Sequence, residues 1–166
     1  LALRGNLESM DINKKNENGY DLTAVLFTPD KESPGTVESL VDFSEKVDAT
    51  WQHSPDGKKH EVTLTNVPAG MEGERTLRLS VSSNKLGVEK ADVVTVNIPD
   101  QNDFSVYDVV YVSEPECYVE VAFSKLLDSA QDMRGLAFIA GNTSETVNVD
   151  GNKLRLYPDA DLREKG

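Results

Sequence analysis

Apolar and polar residues alternate along much of the chain. Val62-Thr63-Leu64-Thr65, Leu77-Arg78-Leu79-Ser80-Val81 and Val94-Thr95-Val96-Asn97-Ile98 follow this rhythm. So do Val119-Glu120-Val121-Ala122-Phe123 and Leu154-Arg155-Leu156. A period of two sends every second side chain to one face, so each such strand has a buried side and a wet side. That pattern suits antiparallel sheets resting on a core by one face. Helical spacing is confined to Asp128–Met133, where Asp128 is placed to cap a turn or two. The predicted class is all-β.

Turn chemistry separates these strands. Pro55-Asp56-Gly57-Lys58 and Asp150-Gly151-Asn152 are hairpin signals, because glycine accepts the positive φ of such turns. Pro68-Ala69-Gly70 and Asn84-Lys85-Leu86-Gly87 mark further loops. Short strands at intervals of roughly 8–12 residues with turns between them predict a sandwich or barrel.

A repeat adds domain organisation. Val41-Asp42-Phe43-Ser44-Glu45-Lys46-Val47-Asp48 aligns with Val121-Ala122-Phe123-Ser124-Lys125-Leu126-Leu127-Asp128, 80 residues on. Each copy precedes an Asp-Gly hairpin, Asp56-Gly57 or Asp150-Gly151. Val and Phe are expected to enter the core from a strand end, with Ser and Asp bonding backbone amides where the chain turns out. Two copies at domain spacing predict two modules of one kind, residues 1–99 and 104–166, joined by the polar Pro99-Asp100-Gln101-Asn102-Asp103. Fold class is thus two tandem immunoglobulin-like antiparallel β-sandwich modules.

The copies are unequal. Ser124 to Gly151 spans 27 residues against 13 from Ser44 to Gly57, so the second copy carries 14 extra, expected to form a turn and a strand through Leu136–Ala140. After Tyr157-Pro158 only Asp159–Gly166 remain, too short and polar to match the strands that follow the first hairpin. The second module is therefore expected to be incomplete at its C-terminus, with open strand edges.

Composition narrows the function classes. The 166 residues are 38% hydrophobic and 28% charged, enough for a core and too mixed for wholesale disorder. A net charge of −12 repels phosphate backbones and anionic lipid, which argues against nucleic acid as a partner. No apolar run reaches the roughly 18–20 residues of a membrane span. The chain opens at Leu1 without a basic-then-apolar leader, as expected where a signal peptide has already been removed. Cys117 is the lone cysteine, so no internal disulfide forms, and with only His53 and His60 beside it no tetrahedral zinc site is composed.

Catalytic signatures are sparse. The chain has no Gly-rich phosphate loop, no Gly-x-Ser-x-Gly elbow and no His-Glu-x-x-His. His53 and His60 flank the Pro55–Lys58 turn and are placed to face each other across it, but no third metal ligand is evident, and a solvated hairpin is the favoured reading. Acidic residues are too common to single out a glycosidase pair. Trp51 is expected to anchor the core rather than to form a sugar platform. Asp100-Gln101-Asn102-Asp103 and Asp159-Ala160-Asp161 resemble the calcium motifs of cadherin linkers, although the companion upstream acidic motifs are missing and the spacing is too long. Asn142-Thr143-Ser144 is a glycosylation sequon, meaningful only in a eukaryotic host. No catalytic, cofactor-binding or metal residue is assigned, and no enzyme activity is expected.

One further likeness gives these modules a setting. Tyr118–Ser124, Leu127-Asp128, Gln131-Asp132-Met133-Arg134-Gly135-Leu136 and Gly151–Pro158 resemble the N-terminal region of bacterial α2-macroglobulin-like proteins. Those carry a strand ending in Phe-Ser, a Leu-Asp-x-x-Gln-Asp-Leu-x-Gly-Leu stretch and a Gly-Asn-x-Leu-x-Leu strand. Val41–Ser44 and Val67-Pro68-Ala69-Gly70 are similar to the immunoglobulin-like domain before it. The resemblance covers most of 104–158 and pieces of 36–98. It implies a periplasmic or lipid-anchored protease trap as parent, with the present chain a structural spacer whose partners are neighbouring domains and, through the parent, target proteases. The family's thioester motif is Cys-Gly-Glu-Gln; here Cys117 precedes Tyr118, so no covalent capture is expected of this chain. A surface adhesin or S-layer protein built from the same modules is the alternative; an exposed aromatic patch or a mucin- or glycan-binding signal would favour it, and the sequence shows neither. A small carbohydrate-active enzyme is a third, and requires a catalytic pair in a cleft.

Overall fold

The computed structural model describes residues 3–81, 92–135, 137–141 and 146–158. It divides into two compact units, residues 1–101 and 102–166. Among the described residues the elements are antiparallel strands and one short helix.

In the first unit, β1 (Arg4–Asn13), β2 (Asn16–Phe27), β4 (Asp48–His53) and β5 (Lys59–Pro68) make a sheet in the order β1-β2-β5-β4. A second sheet, β3-β6-β7, is built from β3 (Val41–Phe43), β6 (Arg75–Val81) and β7 (Asp92–Ile98). Alternation decides which side is buried. Leu22, Ala24 and Leu26 on β2, with Val62 and Leu64 on β5, line one inner face; Leu77, Leu79 and Val81 on β6 and Val94, Val96 and Ile98 on β7 line the other. This is a β-sandwich core. At Gly5 on β1 an added Cβ would run into Leu26, Val93 and Val94, so β1 meets β7 closely enough to require glycine there.

The β2–β3 connection carries α1 (Pro34–Leu40), a helix the strand periodicity does not announce. Its signals are local: Ser33 caps it by accepting from Thr36 N, Pro34 opens the first turn, and Val37 and Leu40 bury themselves. The helix expected at Asp128–Met133 is a turn, in which the Asp128 carboxylate accepts from Ala130 N at 2.9 Å and its carbonyl from Gln131 N. A side chain that satisfies its own local amides competes with the helix it was placed to cap.

The second unit is a sheet in the order β10-β11-β9-β8, from β8 (Val106–Val112), β9 (Tyr118–Phe123), β10 (Thr146–Asp150) and β11 (Lys153–Tyr157). Leu136 lies outside the described residues; at 137–140 there is an isolated Arg134–Ala137 bridge and a turn in place of the expected strand. Asn84–Gly87, Asn142–Ser144 and the stretch from Asp159 onward, including Asp159-Ala160-Asp161, also lie outside the described residues.

The two Val-x-Phe-Ser copies occupy unlike places. The first is on β3, at the edge of its sheet, and the second on β9, between β11 and β8. What they share is a clasp. Ser44 N donates to the Arg78 carbonyl while its Oγ accepts from Arg78 N at 3.0 Å. Ser124 N donates to the Ser105 carbonyl while its Oγ accepts from Ser105 N at 2.9 Å. The serine ends a strand by holding both backbone groups of one residue on its neighbour, wherever that strand lies. Ser44→Ala and Ser124→Ala are each expected to cost about 0.5–1.5 kcal/mol in denaturant unfolding, whereas Ser44→Thr, which keeps the hydroxyl, is expected to avoid most of that loss.

The structural correspondence between the units runs elsewhere. Sheet order β8-β9-β11-β10 repeats β1-β2-β5-β4 strand for strand. It makes Phe27-Thr28 the counterpart of Phe123-Ser124 and sets the two hairpin glycines, Gly57 (φ 67°) and Gly151 (φ 62°), in the same role. Each glycine's carbonyl then accepts from the segment leaving the long strand, from Glu32 N in one unit and Leu127 N in the other.

Candidate functional site: a histidine pair on the β4–β5 hairpin

His53 ends β4 and His60 is its cross-strand partner on β5. Residues directly opposite on a sheet have neighbouring side chains on the same face, and here the two rings meet, Nδ1 to Nδ1, at 2.8 Å. His53 Nε2 lies 2.9 Å from Glu38 Oε1 on α1. His60 Nε2 lies 3.4 Å from Thr28 Oγ1, just past β2. Trp51 stacks on His53 with ring planes 5° apart. It is half-buried rather than a core anchor, because its place at the sheet edge leaves one face open.

The hairpin itself is tightly specified. Asp56 accepts from Lys58 N and from the Ser54 hydroxyl, and these bonds hold its carboxyl below the usual range. Ser54 closes the loop by accepting from Lys59 N at 2.9 Å. The sequence suggests facing histidines; it does not reveal Glu38, which arrives on the unannounced helix, or Thr28.

As a metal site the pair is poorly spaced. Two nitrogens on one tetrahedral zinc at 2.0–2.1 Å stand roughly 3.3 Å apart, further than these, and no cluster of three or more His, Cys, Asp or Glu fit to hold a metal occurs among the described residues. The arrangement is suited to moving or storing a proton. His60 is fully buried. Burial first, and the neighbouring His53 second, push its pKa below the ordinary 6.5, against opposing influences of the Gly57 carbonyl, Glu32 and Asp56. A base with a depressed folded-state pKa leaves the unfolded chain to take up protons first as pH falls. The stabilisation from neutral His60 is therefore complete above about pH 6.5 and lost as pH falls from there toward its folded value. The urea midpoint, followed by Trp51 fluorescence, is expected to drop between about pH 7 and about pH 5, with a shallower slope in His60→Gln.

The junction residues are engaged locally. Asp100 is buried; it accepts from Gly73 N and forms a bridge with Gly70 at the close of the first unit. In the second unit the Asp103 carbonyl accepts from the Ser124 hydroxyl and the Asn102 carbonyl from Lys125 Nζ. Cys117 is half-buried, its sulfur 3.0 Å from the Tyr111 hydroxyl. A polar depression of about 520 Å³ beside β10 is lined in part by Asp132 and Arg134. Those two satisfy each other: the guanidinium brings the Asp132 carboxyl down to about 2. Phe104, Val109, Tyr111 and Phe138 are exposed on the second unit. No helix among the described residues is long and apolar enough to cross a membrane.

Fold and site together define an all-β protein of antiparallel, sandwich-forming sheets. No protein-family model matches the chain, and neither a curated protein nor a solved structure matches it.

Proposed function

We propose that the chain is a pair of immunoglobulin-like structural modules serving as a non-catalytic spacer in the N-terminal region of a bacterial α2-macroglobulin-like protease trap. The observation that carries the modular reading is strand order. The first unit's sheets, β1-β2-β5-β4 and β3-β6-β7, follow the A-B-E-D and C-F-G arrangement of a seven-stranded immunoglobulin constant-type sandwich. The second unit repeats the first of these sheets as β8-β9-β11-β10. Inner positions on both are packing residues, and such frameworks serve as spacers in many extracellular proteins.

The parent assignment rests on the sequence likeness at Tyr118–Ser124, Leu127–Leu136 and Gly151–Pro158. On this reading the protein works in the periplasm or cell envelope, lipid-anchored through the parent, beside neighbouring domains of that parent, which engages target proteases. The exposed Phe104, Tyr111 and Phe138 favour a second reading, a surface adhesin or S-layer protein using the same modules.

The test is an antibody raised against this chain and applied to fractionated source cells. A band far heavier than 18.2 kDa in the periplasmic or envelope fraction, whose protein traps an added protease, is expected. A surface-exposed band that binds host glycans and traps no protease overturns the macroglobulin reading in favour of the adhesin.

A further inference from the structure

The hydrogen bonds around the histidine pair determine where its protons sit. His60 Nδ1 faces His53, and its Nε2 stands 3.4 Å from the Thr28 hydroxyl oxygen. The Thr28 hydroxyl spends its one hydrogen on the Asp30 carbonyl at 2.8 Å, so toward the ring its oxygen only accepts and His60 Nε2 carries the hydrogen. His60 is buried and, with burial disfavouring its charged form, neutral; its Nδ1 is then a bare acceptor. His53 Nδ1 must donate to it. The other nitrogen of His53 faces a carboxylate, which also only accepts. With hydrogen on both nitrogens, His53 is an imidazolium.

The geometry points to a proton-loaded clamp: a charged His53 held between Glu38 and neutral His60 latches α1 to the β4–β5 hairpin, and the latch opens when the pair carries either no charge or two. While His60 keeps its hydrogen on Nε2, removing the proton leaves two lone pairs facing across 2.8 Å, and adding one sets two N–H groups against each other. With His60 so held by Thr28, either state turns a ring away, and with it goes the His53–Glu38 bond or the His60–Thr28 contact. Groups around the pair act on this balance from every side. Glu38 comes from α1, Thr28 and Glu32 from the connection leaving β2, and Asp56 from the turn. Lys59 and Glu61, 4.0 Å apart on β5, line a shallow cleft with Gln52, His53 and Ser54. Trp51 covers the His53 ring. The clamp is thus a device set to the range in which histidine changes charge, joining the chain that crosses between the two sheets to the hairpin of the first.

Ring-nitrogen NMR of the intact chain at about pH 6 tests this. His53 is expected to show both nitrogens protonated, His60 the Nε2–H form, and the facing Nδ1 atoms a coupling across the hydrogen bond. A neutral His53 bonded to an Nδ1–H His60 overturns the proposal. Glu38→Gln, at a partly exposed site, keeps the fold and removes the counter-ion. The pH at which the pair gives up its charge, read by NMR and by relief of Trp51 quenching, is expected to fall by roughly half a unit to one unit. No movement of that pH in Glu38→Gln also overturns the clamp, whatever the histidine substitutions do to stability.

Discussion

Leu64→Ala is expected to lower the stability of the first unit by about 2–5 kcal/mol. Leu64 sits on β5, a strand paired on both sides, opposite Leu22 of β2 and Ala49 of β4. It is 1% exposed and points toward the face that the second sheet covers. A shortened side chain there loses its transfer free energy and leaves a cavity that strands fixed by hydrogen bonds on both edges close only in part. Urea unfolding followed by Trp51, the chain's single tryptophan and a residue of the adjacent strand, reports the loss directly. Thr65→Ala, one position along on the exposed face, is expected to stay within about 0.5 kcal/mol of the parent. Equal effects at the two positions would place β5 the wrong way round.

The second large effect is expected at Gly70. Its amide donates to the Pro99 carbonyl and its carbonyl accepts from Gln101 N, which stitches the end of β5 to the end of β7. An added Cβ would collide with the Gly73 carbonyl oxygen, and Asp100 Cα stands 3.3 Å away. Both obstacles are backbone, so no rotamer relieves the clash, and the Gly73 loop is held in turn by the Asp100 carboxylate. Gly70→Ala is therefore expected to cost about 1–3 kcal/mol. Gly35→Ala is the counterpart: nothing lies within 4 Å of its Cβ position, and it belongs to α1. There the loss of unfolded-state freedom is expected to stabilise by about 0.4–1 kcal/mol. Thermal melts of the two variants should move in opposite directions.

The same contrast separates what was legible in the sequence. The Asp-Gly hairpins were legible because positive φ is a demand made by a few adjacent residues, and Gly57 and Gly151 meet it. The strands at Val62–Thr65, Leu77–Val81, Val94–Ile98, Val119–Phe123 and Leu154–Leu156 were legible because a half-buried strand writes its faces into a period of two. β1 and β2 were less so: β2 reads Ala24-Val25-Leu26, buried in succession, and is offset by a register shift between Tyr20 and Leu22. α1 escaped notice because a two-turn helix offers only Val37 and Leu40 as a stripe.

The repeat shows the limit most plainly. Val-x-Phe-Ser recurs because a strand end can be clasped by one serine anywhere in a sheet, so the motif marks a local device and not a topological position. The histidine site divides similarly. That His53 and His60 face each other follows from a short hairpin between them. That His60 is buried, that Glu38 reaches His53 and that Thr28 holds the far side of the ring come from segments distant in the chain. By itself the sequence determined the strand-rich class, the hairpins and the pairing of two rings, since each depends on neighbours a few residues apart. Strand order, the equivalence of β8-β9-β11-β10 with β1-β2-β5-β4, and the Glu38 and Thr28 partners of the histidine pair were decided only by tertiary structure, because burial and hydrogen-bond partners are set by which distant segments pack together.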